Sequence, residues 1–121
     1  MSQSKLLAEY ESMLQLTTGQ TLSPLETSEQ VLEALGDGST VVLSLSDGGE
    51  DALLTAERVL DDRILFVNPR KTQGARPGQE LPAAGPLPPR RAEPDGRESI
   101  SSKFLHALLT TGIARAHLIA E

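Results

Sequence analysis

No cysteine occurs in the chain, which excludes disulfides, thiolate metal sites and a cysteine nucleophile. Tryptophan is missing too, and Tyr10, Phe66 and Phe104 are the whole aromatic complement. Stacking platforms for bases or sugars are therefore nearly absent. Positive charge is also short: 11 Lys and Arg face 17 Asp and Glu, a net −6, whereas a phosphate backbone needs a basic stripe. No apolar run has the length to cross a bilayer, and Met1-Ser-Gln-Ser-Lys lacks the basic start and apolar stretch of a secretory signal. The expectation is a soluble, cytoplasmic protein with neither a membrane nor a nucleic acid as partner.

What fills the chain instead is aliphatic. Twenty leucines in 121 residues provide one core of modest size, and the length suits a single domain, 1–121. Its centre is the stretch from Asp51 to Pro69, where two apolar runs, Ala52 to Leu60 and Arg63 to Val67, flank Asp61-Asp62. Asp tolerates turn dihedrals, so this reads as a β-hairpin with a two-residue turn. Such a turn sets Val59 opposite Ile64 and Glu57 opposite Phe66, and gathers Leu53, Thr55, Glu57, Val59, Ile64, Phe66 and Asn68 on one face. Ala52, Leu54, Ala56, Leu60, Leu65 and Val67 take the other face. Both are largely apolar, which suits a central pair covered on both sides. Pro69 ends the second strand, since it has no N–H for a ladder.

Around the hairpin, Leu6, Leu7, Tyr10, Met13 and Leu14 recur at helical spacing and predict a first helix over 4–15. Leu16 to Pro24 reads as a connector. Thr27 with Gln30 forms a capping-box pattern, and the apolar stripe of Val31, Leu32 and Leu35 stops at Gly36. Thr40 to Leu45 is a β-branched and aliphatic strand bounded by turn residues. Ser99 or Ser101 can cap a third helix along which Ile100, Phe104 and Leu108 recur, with Gly112 closing it and Ile113 to Ile119 alternating as a last strand. The expected fold is α+β: two N-terminal helices, a small, mostly antiparallel sheet of about four strands, and one C-terminal helix before the last strand.

Pro69 to Arg97 breaks this pattern, with seven of the eight prolines and no apolar periodicity. It reads as a long irregular or mobile loop, 69–97. Six bases against three acids give it a balance of +3 and leave −9 on the rest, an acidic body with a basic strap. The strap is either a solvated linker or a partner-binding segment, and Arg90 and Arg91 are its candidate contacts. On the body, Glu50 and Asp51 form an acidic pair that opens a strand and suits a cation or a basic partner.

Catalytic, metal and cofactor chemistry find no constellation. His106 and His117 lie on different elements without metal-ligand spacing. Gly48-Gly49 is no phosphate cradle, because Asp47, Glu50 and Asp51 surround it with like charge. Ser101 and Ser102 come within a turn of His106, but helix capping explains them more simply than a nucleophile and base.

The succession helix, strand, Gly49-Glu50-Asp51-Ala52-Leu53-Leu54, turn, Ile64-Leu65-Phe66-Val67-Asn68-Pro69, loop, helix and strand resembles papain-like cysteine peptidases, especially the bacteriocin-processing type, over about residues 27 to 119. The resemblance implies that Asn68 matches the family's third catalytic position and that Asp51 stands where its histidine would be. The nucleophile would fall near Ser4, where there is no cysteine. Asp51 cannot act as an imidazole base, and a serine without a base is inert. A two-residue turn also pairs Thr55, not Asp51, with Asn68, so a bulge is needed to bring the two relic positions together.

The resemblance implies a pseudoenzyme, a non-catalytic domain binding a protein or peptide near the cleft between first helix and hairpin. The alternative is a small acidic chaperone or immunity-type protein that masks a basic partner. An enzyme using Asp51, Glu50 or the His106 region is the third reading.

Overall fold

Asp61-Asp62 does turn the chain, with Asp61 in the left-handed region at φ 57, a conformation Asp accepts more readily than most residues. The computed structural model describes residues 5–46, 51–67, 76–82, 89–94 and 97–120. The flanking strands are β3, Asp51–Leu60, and β4, Arg63–Val67. Val59 faces Ile64 as the turn requires, but the register then slips: Ala56, not Glu57, faces Phe66, and Thr55 faces Val67. Glu57 is the extra residue of a β-bulge. Downstream of it Val59 points to the same side as Ala56, Leu54 and Ala52, so the strict alternation expected for the hairpin is corrected. Ala52, Leu54, Ala56, Ile64 and Phe66 are all buried in one cluster, with Val59 packed against it.

That cluster is the main core. It also contains Val41, Leu43 and Leu45 of β2 (Val41–Ser46), Ala114 and Ala116 of β8 (Ala114–Ala120), and Ile100 of β7 (Glu98–Ser101). Two helices cover it: α2, Ser28–Gly36, through Val31 and Leu35, and α3, Ser102–Thr111, through Leu105. Thr27 starts α2 with a complete capping box: its side chain accepts from the Gln30 N–H while Gln30 reaches back to the cap. Ser101 caps α3, accepting from the Lys103 N–H at 3.1 Å, and Gly112 ends it in the left-handed conformation.

Among the described residues eight strands make one sheet in the order β1-β8-β2-β3-β4-β7-β6-β5, with every neighbouring pair antiparallel. Here β1 is Thr21–Leu25, β5 is Glu80–Leu81 and β6 is Arg90–Ala92. The expectation of about four strands and two consecutive N-terminal helices is thereby corrected: β1 separates α1 (Lys5–Thr17) from α2, and β5, β6 and β7 lengthen the far end.

Each missed strand has a physical reason. β1 carries Pro24, which argues against a central strand but not against an edge. The N–H of Ile119 donates to the carbonyl of Thr40, and that of Ser46 to the carbonyl of Ile113, so the odd-numbered residues of β8 bond to β2 and the even-numbered ones to β1. Ser23 and Leu25, opposite Leu118 and Ala116, then hold the ladder, and the donorless nitrogen of Pro24 faces away from the sheet. β7 was hidden because Ile100 continues the apolar spacing of α3, yet it ends in a strand facing Ile64. Within 69–97 the described residues are not simply irregular, since β6 pairs with both β5 and β7.

Helix α1 lies on the opposite side of the sheet from α2 and α3. It touches β1 and β3, which flank β8 and β2 in the strand order, so it crosses over both. Its Leu14 and the outward-pointing Val42 of β2 are buried but lie outside the main cluster. No helix of the described residues is long and apolar enough to cross a membrane.

Candidate binding surface

With α1 spanning β1-β8-β2-β3, the same side of β4-β7-β6 has no helix over it among the described residues. The strand pairings fix what it carries. Arg58 faces Leu65, Leu60 faces Arg63, Thr55 faces Val67, Leu65 faces Ser99, and Ser99 faces Arg91. Residues directly opposite across antiparallel strands share a side. This surface therefore alternates Arg58, Arg63 and Arg91 with Leu60, Leu65 and Val67. Leu60 is 48% and Val67 42% exposed.

Ser99 organises the polar part. Its hydroxyl accepts from Arg63 Nε at 2.9 Å and donates to Glu93 Oε2 at 3.0 Å, while Arg63 Nη2 donates to the Ser99 carbonyl at 3.0 Å. Arg91 Nε completes the chain at 2.8 Å from Glu93 Oε2. Ser99 is fully buried, so a hydroxyl without these partners would be costly. The Arg91 hydrogen bond, then the Ser99 hydroxyl and the nearby Arg63 charge, hold the Glu93 carboxyl below its usual range, against the opposing effect of its burial. Glu93 in turn raises the Arg91 guanidinium. Glu93 thus links Arg91 of β6 to Ser99 of β7 and, through the Ser99 hydroxyl, to Arg63 of β4. Ser99 is sealed from solvent, so its oxygen is not open to a substrate.

The expected site residues fall as follows. Arg90 points to the core side of β6, where it is 5% exposed, and its Nε lies 2.6 Å from Glu98 Oε1. Its guanidinium is thus spent inside the protein. Arg91 remains half exposed on the open surface. Asp51 begins β3 opposite Ser46 of β2. Glu50, Asn68 and the region of Ser4 lie outside the described residues. The bulge at Glu57 puts Val67 rather than Asn68 opposite Thr55, one residue nearer to Asp51 than a strict alternation would, yet Asp51 and the end of β4 still lie well apart along β3. First helix and hairpin adjoin directly, because α1 rests on β3.

The histidines also separate. His106 Nδ1 lies 3.2 Å from the Ser28 hydroxyl, joining α3 to the first turn of α2 rather than meeting Ser101 or Ser102. His117 sits on β8 with a buried Nδ1 that has no hydrogen-bond partner among the described residues. Among the described residues, no three His, Asp or Glu side chains come together in a way that would hold a metal ion.

Arg58, Arg63, Glu93, Glu98 and Ser99 were not picked out from the sequence. A signal for two of them was there: alternation through Arg63-Ile-Leu-Phe-Val and Glu98-Ser-Ile-Ser puts Arg63 and Ser99 opposite their core-facing neighbours once both runs are taken as paired strands. Comparison with family models, with curated proteins and with solved structures returned no match. The functional reading therefore rests on this geometry.

Proposed function

We propose that the chain is a non-catalytic domain that binds a protein or peptide partner, and that the helix-free part of the sheet is its docking surface. One observation carries this reading. Leu60 and Val67, large apolar side chains more than two-fifths exposed, share a firmly braced surface with Arg58, Arg63 and Arg91, and aliphatic and arginine side chains on a rigid frame are what a partner can desolvate at low entropic cost. A degenerate papain-like ancestry is part of the proposal. It is supported by the order of elements around the hairpin and by Asp51, a residue that cannot serve as an imidazole base.

A second reading, the small acidic chaperone or immunity-type protein, is favoured by a different observation. No lysine or arginine occurs between Lys5 and Arg58, and Glu26, Glu29, Glu33 and Asp37 are all exposed on and beside α2. The two readings use different surfaces and respond differently to salt.

Capture of host proteins by the full chain, compared with Leu60→Glu/Val67→Glu and with Glu29→Lys/Glu33→Lys, separates them. The first reading expects capture to be lost in the Leu60/Val67 variant and to survive a salt increase that shortens the Debye length from about 10 Å to about 3 Å. Loss in the α2 variant and at high salt supports the second reading and overturns the first. Hydrolysis of peptide or ester substrates that disappears in Asp51→Ala would overturn the non-catalytic assignment.

A further inference from the structure

We propose that His117 is a proton-operated latch beneath α1, uptake of a proton by its imidazole loosening α1 from the sheet. This goes beyond the docking surface and concerns the other half of the same side. His117 faces Val42 on β2 and Pro24 on β1, so its ring is on the side that α1 crosses. Val42 is 1% exposed, and His117 Nδ1 is sealed from solvent without a hydrogen-bond partner.

The charged groups around the ring are few. On α1, Glu11 and Tyr10 are the half-buried titratable residues, and the Glu11 carboxylate favours the protonated ring. On β8 itself, Arg115 opposes protonation. The residues of β1 and β2 on this side, Leu22, Pro24, Val42 and Ser44, bear no charge, nor do Leu53 and Thr55, the β3 residues opposite Ser44 and Val42; the charged β3 residues of this side, Asp51 and Arg58, lie further along the strand. α2 and α3 pack on the other side.

A neutral imidazole tolerates this position; an imidazolium does not. Protonation turns Nδ1 into an N–H donor that has no acceptor in place, and it puts a charge beside Val42 and Pro24. Burial accordingly lowers the affinity of the ring for its proton, outweighing the attraction of Glu11. Linkage fixes the direction. The docked state takes up the proton less readily than a state with the ring in water, so docking is at full strength above the ordinary histidine value near 6.5 and is lost as pH falls through it. α1 gives way before the core does, since Leu14 is its one residue under a tenth exposed among those whose side chains are described.

Amide hydrogen exchange of the full chain at about pH 7.5 and about pH 5, corrected for intrinsic exchange, tests the latch, because each unit by which a proton equilibrium is displaced is worth about tenfold in protection. The expected result is a several-fold loss of protection in α1 at the lower pH, with β2 and β3 unchanged. His117→Gln should abolish the pH dependence and His106→Gln should preserve it. Glu11→Gln, a change on the helix surface that leaves the ring intact, should deepen the loss of α1 protection at the lower pH, because without the charge that favours the proton the docked state takes it up still less readily. Equal α1 protection at both pH values in the natural chain, or an undiminished loss in His117→Gln, would overturn the proposal.

Discussion

The two ends of the sheet are held by different forces. From β1 to β3 the strands are packed on both sides, by α2 and α3 below and α1 above, and most of what they bury is aliphatic. From β7 to β5 the strands shorten, and the buried side chains include Arg90, Glu98 and Ser99. Aliphatic burial gains free energy from area alone and tolerates small shifts. A buried ion pair gains only when its geometry is good and its remaining donors and acceptors are met. The first end can therefore fold on composition, while the second must be assembled in register or not at all.

The largest test of that contrast lies in the shared centre. Phe66→Ala removes the largest fully buried side chain and should cost about 3–5 kcal/mol by denaturant unfolding, lowering the midpoint for the whole domain. A loss under about 1 kcal/mol would mean that the aliphatic end is not what carries the fold.

Next is the ion pair. Glu98→Ala leaves the Arg90 charge buried and should cost about 3 kcal/mol, whereas Arg90→Met with Glu98→Leu should be close to neutral. Hydrogen exchange should show β6 and β7 opening in the single variant while β2 and β3 keep their protection.

Ser99→Ala should cost about 1–3 kcal/mol, because it strips one hydroxyl from two charged partners at once. The same network predicts an acid response. Glu93 is held below its usual range, so its stabilising contribution is present above the unfolded-chain value near 4.5 and is lost as pH falls below that toward the folded value. Arg91→Met should flatten this part of the stability profile, as followed by thermal unfolding between about pH 6 and pH 3.

The smallest effect belongs to the bridge between the ends. Glu57 accepts from Arg97 Nη2 at 2.9 Å, with both side chains about one-third exposed. Glu57→Gln should change stability by no more than about 1 kcal/mol; a larger loss would show that the bulge depends on this contact.

The aliphatic end was the more legible in the sequence. Thr27 and Gln30 announced their capping box and Gly112 its helix end, because each is a local device that needs only a few neighbouring residues. The bulge was also written there. Ala52, Leu54 and Ala56 keep a period of two and Val59 breaks it, a slip that puts Val59 back on the buried side. Reading the turn alone, without that break in phase, sends half of the hairpin to the wrong side. At the polar end the signals misled. Arg90 and Glu98 look like solvent-facing charges, and only the pairing of β6 with β7 turns them into mutual partners. The prolines of 69–97 argue for disorder by composition, yet the described ones, Pro77, Pro82, Pro89 and Pro94, fall among strands too short for periodicity to register. The proposed docking surface shares this fate, since Arg58, Arg63 and Ser99 come from three strands and meet only after the sheet is built.

Pro24 has a consequence for the protein in a crowded solution. An antiparallel sheet ending in a free strand is a template on which another chain can add hydrogen bond by hydrogen bond, and such addition starts polymers. At the rim of β1 the outward positions are Leu22 and Pro24, and the second of these has no hydrogen to give. An incoming strand would find its ladder interrupted in the middle of a five-residue edge. A single residue thus interrupts, at this edge, the addition of an unfolded copy of the chain.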